Sequence, residues 1–205
     1  MSAIELEFAT TTLTGRLLAW LRADAANSRR ETPSAEWPHP SEAAFVLAHG
    51  QAFAPGGSAQ RRIARSLAAM HWRVHGPFQH REAALNAQRC LFLDELERFV
   101  YVEGYVLDDR AGYAEPHAWL SLDDHVVDFT AAIPGEPVRG SDPPQVIGAS
   151  DHRAYVGIRF RREYVLRRTR ETGRLAALID DREHAFPLLR CPPPDFRADA
   201  SGGRP

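Results

Sequence analysis

Lysine is missing from this chain altogether: every one of its 25 Lys/Arg positions is arginine. Schiff-base and lysine-nucleophile chemistry are excluded with it. Cysteine is nearly missing as well, with Cys90 and Cys191 alone in 205 residues. Secreted scaffolds carry several cysteines at short spacings, so two reduced thiols are expected here. An excess of charge is lacking too, since 25 basic residues face 27 acidic ones for a net charge of -2. A nucleic-acid binder that relies on bulk positive charge is thereby excluded. No apolar run approaches the roughly 18 to 20 residues that a membrane-crossing helix needs. The start MSAIELEFATTT shows no basic stretch followed by an apolar one, so a soluble, unprocessed cytoplasmic protein is expected. The glycines form no phosphate-cradling pattern, no internal repeat is visible, and no cofactor is expected.

What is present suits one domain. At 44% hydrophobic residues, a chain of this length can bury roughly 70% of its unfolded surface. Residues 1–190 read as a single globular domain, and 191–205, rich in Pro, Gly and Asp, as a disordered tail with almost nothing to bury.

Leu13, Leu17, Leu18, Leu21 and Ala25 share one helical face. Ser41 sits where an N-cap belongs, ahead of a short helix that Gly50 can end. Residues 51–57 read as loop. Ile63, Leu67 and Met70 then mark one side of a helix whose other side carries Arg61, Arg62 and Arg65. The strongest helical pattern runs over 81–97, with no Gly or Pro inside it. Three β-like runs follow at 99–107, 117–122 and 125–130, separated by turns at 108–112 and at Asp123 and Asp124, which predicts an antiparallel meander. A long Pro/Gly loop over 131–150 leads to a fourth strand at 155–160 and a final helix from Arg161. The expectation is an α+β fold with a helical amino-terminal half packed on a small antiparallel sheet.

Two adjacent antiparallel strands can bring His117 and Asp128 within hydrogen-bond reach. A carboxylate on one ring nitrogen fixes the imidazole tautomer and leaves the other to take a proton from a nucleophile. A separation of eleven, taken by itself, argues only for structure. His71, His75 and His80 lack the Glu or Cys that would complete a metal motif, so no metal site is expected. The arginines at 159, 161, 162, 167, 168 and 170 alternate with Glu163 and Glu171, as a solvated helix face does.

Four motifs in order carry a resemblance: NAQR at 86–89, YVEGYV at 101–106, EPHAW at 115–119 and HVVDFT at 125–130. They resemble an uncharacterised bacterial and phage family whose pattern reads C-aromatic-x-N-A, Y-V-E-G-Y, H-A-W and V-V-D-x-T, over roughly 80–160 of this chain. That family is similar to papain-like and transglutaminase-like proteins, in which a helix amino terminus presents Cys and a sheet presents His and then Asp. The resemblance implies that His117 is the general base and Asp128 its orienting acid, with Asn86, Glu103 and Trp119 in supporting positions and Gln79 a candidate oxyanion donor.

The chain departs from the pattern at the nucleophile. Three positions before Asn86 stands Ala83, a methyl group where the family has its thiol, and Ala84 replaces the aromatic residue. Alanine cannot attack a carbonyl. Cys90 shares a helical face with Ala83 but lies roughly 10 Å further along the axis, far outside the approach of about 3 to 3.5 Å that reaction requires. Cys191, in the tail, is reactive only through exposure. The leading expectation is a divergent homologue that binds a peptide or amide substrate, or a protein partner, without hydrolysing it. An active peptidase or amidase would need a natural Cys at position 83 or service by Cys90; a third reading is a non-catalytic phage-accessory interaction protein.

Overall fold

A computed structural model describes residues 12–28, 36–75, 83–93, 97–128 and 152–198. Among the described residues the chain is a mixed α+β protein of six helices and a five-stranded antiparallel sheet. In chain order these are α1 (Leu13–Ser28), α2 (Glu42–His49), β1 (Gln51–Phe53), α3 (Ser58–His75), α4 (Ala83–Phe92), β2 (Val100–Asp108), β3 (Ala114–Leu122), β4 (His125–Val127), β5 (Arg153–Phe160), α5 (Arg162–Thr172) and α6 (Pro187–Arg190). The sheet order is β1-β5-β2-β3-β4.

Period and capping explain the helices. In α1 the buried residues Leu17, Leu21 and Ala25 recur every four positions, one face of a 3.6-residue helix. The Ser41 Oγ accepts from the Ala44 N–H at 3.1 Å and so satisfies one of the unpaired donors at the start of α2. The expected helix over 81–97 ends earlier, at Phe92, while 81–82 and 94–96 lie outside the described residues.

Strand alternation divides the sheet into two faces. Tyr101, Tyr105, Leu107, Ala118, Leu120, Val156, Ile158 and Phe160 join Leu17, Leu21, Phe45, Ala87, Cys90 and Leu91 in the main core. The opposite face carries a smaller cluster of Phe53, Val102, Val106, Trp119, Val126 and Tyr155. The sheet curls over this second cluster until its two edges meet: the Ala54 N–H donates to the Asp124 carbonyl, and the Val126 N–H to the Ala54 carbonyl.

Two expectations are corrected. Residues 51–53, read as loop, pair with β5 through Gln51↔Gly157, Ala52↔Val156 and Phe53↔Tyr155. The carboxyl-terminal stretch is packed as far as 198, because Phe196 is buried against the rings of Phe45, Phe160 and Tyr164. Backbone bonds from Arg161 N–H to the Phe196 carbonyl and from Ala198 N–H to the Arg159 carbonyl tie it to the end of β5. Residues 131–151 and 199–205 lie outside the described residues. No described helix is long and apolar enough to cross a membrane.

Candidate functional site

A tight hairpin brings the imidazole and the carboxylate together. Asp123 and Asp124, at φ 49° and 63°, form the two-residue link between β3 and β4; two successive left-handed residues match the twist of paired strands, and Asp tolerates that conformation better than bulky residues. The link fixes the register Leu122↔His125, Ser121↔Val126, Leu120↔Val127. With side chains alternating along each strand, His117 and Trp119 share the face of Val126, and Asp128 follows on that face one residue past the end of β4. The His117 Nε2 lies 2.9 Å from Asp128 Oδ2.

Asp128 is 1% exposed and surrounded by donors and positive charge. The Tyr155 hydroxyl donates to the same Oδ2 at 2.9 Å, and the Arg153 guanidinium stands 3.9 Å away. Arg153 is itself held by Asp108 at 2.8 Å; burial works against the Asp108 charge, but that guanidinium and nearby backbone N–H groups hold its carboxyl below the usual range. The tyrosine hydroxyl is pushed well above its ordinary range by burial and by the neighbouring carboxylate, and so stays a donor. Trp119 stacks on the imidazole, centroids 6.2 Å apart and planes 20° from parallel, and meets Tyr155 and Phe53 edge-on. Replacing Tyr155 with Phe removes a buried donor to the Asp128 carboxyl group; the expected cost is about 1–2 kcal/mol in urea unfolding, and a loss under about 0.3 kcal/mol would mean the hydroxyl does not hold Asp128.

Ala83 is the first described residue of α4. Both it and His117 line a cavity of about 400 Å³, together with Glu42, Ala84, Leu85, residues 103–105, Pro116, Ala118 and residues 174–180 except Leu178. The cavity reaches the stretch of β3 that β4 does not cover, since β4 pairs only with Leu120–Leu122. Glu103 also lines it but faces away from His117: the carboxylate accepts from the Tyr101 hydroxyl at 2.5 Å and from the N–H groups of Leu178 and Ile179 at 2.7 and 2.8 Å. It pins the wall formed by 174–180 onto the sheet.

The remaining sequence candidates fall apart from this group. Asn86 is buried within α4, and Gln79 lies outside the described residues. Cys90 is fully buried, and burial pushes its thiol far above the ordinary range, so it is no nucleophile at neutral pH. Cys191 is exposed. His71 is buried in α3, while His80 and the side chain of His75 lie outside the described residues; among the described residues no three His, Cys, Asp or Glu side chains gather as a metal site would require. Arg159 belongs to β5 rather than to a solvated helix face, with its guanidinium over the Phe53 ring and paired with Asp124. Tyr155 and Arg153, which meet Asp128, and Asp108, which holds Arg153, were missed by sequence reasoning, because β5 and β2 come together only through long-range pairing.

No known protein family matches the chain, and no curated protein or solved structure matches it either.

Proposed function

We propose that this chain is a divergent papain-like or transglutaminase-like domain that keeps the His117–Asp128 pair, has lost its nucleophile at Ala83, and binds a peptide-like or amide group, or a protein segment, without cleaving it. One observation carries the reading: His117, whose imidazole is hydrogen-bonded to the buried Asp128, is among the residues that line the cavity at Ala83. The amino-terminal turns of a helix lie towards its positive dipole end, which favours a thiolate and a developing oxyanion. A methyl group there retains the binding surface and removes the chemistry.

The test restores the thiol. In an Ala83→Cys, Cys191→Ser chain, alkylation by iodoacetamide at neutral pH should run at least about tenfold faster than that of a free thiol, because a lowered pKa raises the thiolate fraction. Adding Asp128→Ala should remove most of that gain. A thiol no more reactive than mercaptoethanol would sink the assignment of the seat.

A further inference from the structure

Away from the cavity, two titratable side chains meet at a seam of the fold. The Nε2 atoms of His39 and His49 lie 3.1 Å apart, so one ring donates and the other accepts. Such a bond needs a neutral acceptor, because a second proton sets two N–H groups and two positive charges face to face. Both rings are half-buried, enclosed by aromatic edges. Phe45 meets His39 at 5.0 Å and His49 at 4.8 Å between ring centroids, and Phe196 meets His49 at 5.4 Å with planes 88° apart. The pair also ties separate parts of the chain together. The His39 N–H donates to the Leu189 carbonyl, while His49 ends α2 and its carbonyl accepts from the Arg197 guanidinium at 3.4 Å.

We infer that the His39–His49 pair is an acid-sensitive latch on residues 191–198: it is closed while one imidazole accepts from the other, and when both carry a proton it releases Phe196 from the rings around it. The neighbouring charges favour release. Arg197 places a positive charge beside His49, and Arg161 donates to the Arg197 carbonyl. Asp195, the carboxylate nearest to them in sequence, is held through both oxygens by Arg167. Glu36 is exposed, Glu42 stands at the opposite end of α2, and the Arg190 guanidinium reaches the His184 carbonyl. Tyr164, pushed up by burial to about 12, stays neutral. Burial lowers the pKa of both imidazoles, and His39 and Arg197 lower His49 further. Freed rings titrate near 6.5, so below that pH the released state binds more protons than the closed one. The closed state is therefore fully favoured above about pH 6.5 and loses ground as pH falls.

Hydrogen exchange at about pH 7 and about pH 5 tests the latch in the full chain and in His49→Gln, whose amide can donate or accept at the same place without titrating. The amides of Arg161 and Ala198, which bond to the carbonyls of Phe196 and Arg159, report release. At about pH 5 a freed ring is favoured roughly thirtyfold over one held neutral. Protection at those two amides, corrected for intrinsic exchange, should therefore fall at least about tenfold in the parent chain and less than about twofold in His49→Gln. Glu42 and Glu103, both lifted to about 7 chiefly by burial, protonate over the same range, and the comparison cancels them. No fall in the parent, or equal falls in the two chains, would overturn the latch. So would an equal fall at the amides of β2, since the loosening would then be global. His39→Gln repeats the comparison should His49→Gln loosen the stretch already at about pH 7. Ring titration of the parent by NMR needs no variant: the two imidazoles should take up their protons in separate steps, and rings that titrate independently near 6.5 would also overturn the inference.

Discussion

Gly104→Ala is expected to cost at least about 3 kcal/mol in urea unfolding, or to abolish folding, although it adds only a methyl group. Gly104 pairs with His117 on one side and with Gly157 on the other. A Cβ at 104 would overlap the Val156 carbonyl and the Gly157 Cα, backbone atoms that no rotamer change can move. Gly157 is equally hemmed in: its Cβ would come within 2.7 Å of the Glu103 carbonyl and of the Trp119 ring. Relief requires β2 and β5 to separate. Because β5 carries Tyr155 and Arg153 to Asp128, that separation would also disorder the His117–Asp128 pair. Gly112→Ala is the control. Gly112 has φ 73° and open space around it, so it tests left-handed backbone preference alone, at a cost of about 1 kcal/mol. Equal losses at the two positions would refute the close-approach argument.

What the sequence made legible follows how far apart the partners lie along the chain. The helices announced themselves through four-residue spacing and a Ser41 cap, and β3 and β4 through runs flanking Asp123 and Asp124. The His117–Asp128 contact was readable for the same reason: a two-residue link sets its register. Tyr155 and Arg153 arrive at Asp128 only after the chain has left β4 and returned, and no spacing encodes that return. The three residues of β1 have too little pattern to announce a strand; their identity comes from β5. Phe196 stands alone among prolines and charges, and its core position exists only because α2, β5 and α5 present rings to it. The lining of the cavity is of this kind as well, since Glu42, Glu103 and Asp180 belong to three separate parts of the chain.

Glu103 joins fold to site, and its replacement tests that link. Glu103→Ala would leave the Tyr101 hydroxyl and the N–H groups of Leu178 and Ile179 without their acceptor; at about 1–3 kcal/mol for each buried unsatisfied group, partly relieved by local movement, the expected loss is about 3–5 kcal/mol. Hydrogen exchange should rise at Leu178 and Ile179 before it rises in β2, because those two amides are the ones the carboxylate holds. The pH dependence separates charge from shape. Burial raises the folded-state carboxyl to about 7 against the pull of its three donors, whereas an unfolded glutamate titrates near 4.3. Between those values the folded chain binds more protons than the unfolded one, so this carboxyl's contribution is fully present below the unfolded pKa and declines as pH rises through the folded one. Relative to Glu103→Gln, which cannot titrate, the parent chain should therefore lose about 3 kcal/mol of stability between about pH 4 and pH 8. The comparison cancels His39 and His49, whose pKa values are lowered, chiefly by burial, and which work in the opposite sense on acidification. A parent chain that gains stability over Glu103→Gln as pH rises would show instead that the three donors outweigh burial, and that the wall of the cavity is held by a charged carboxylate.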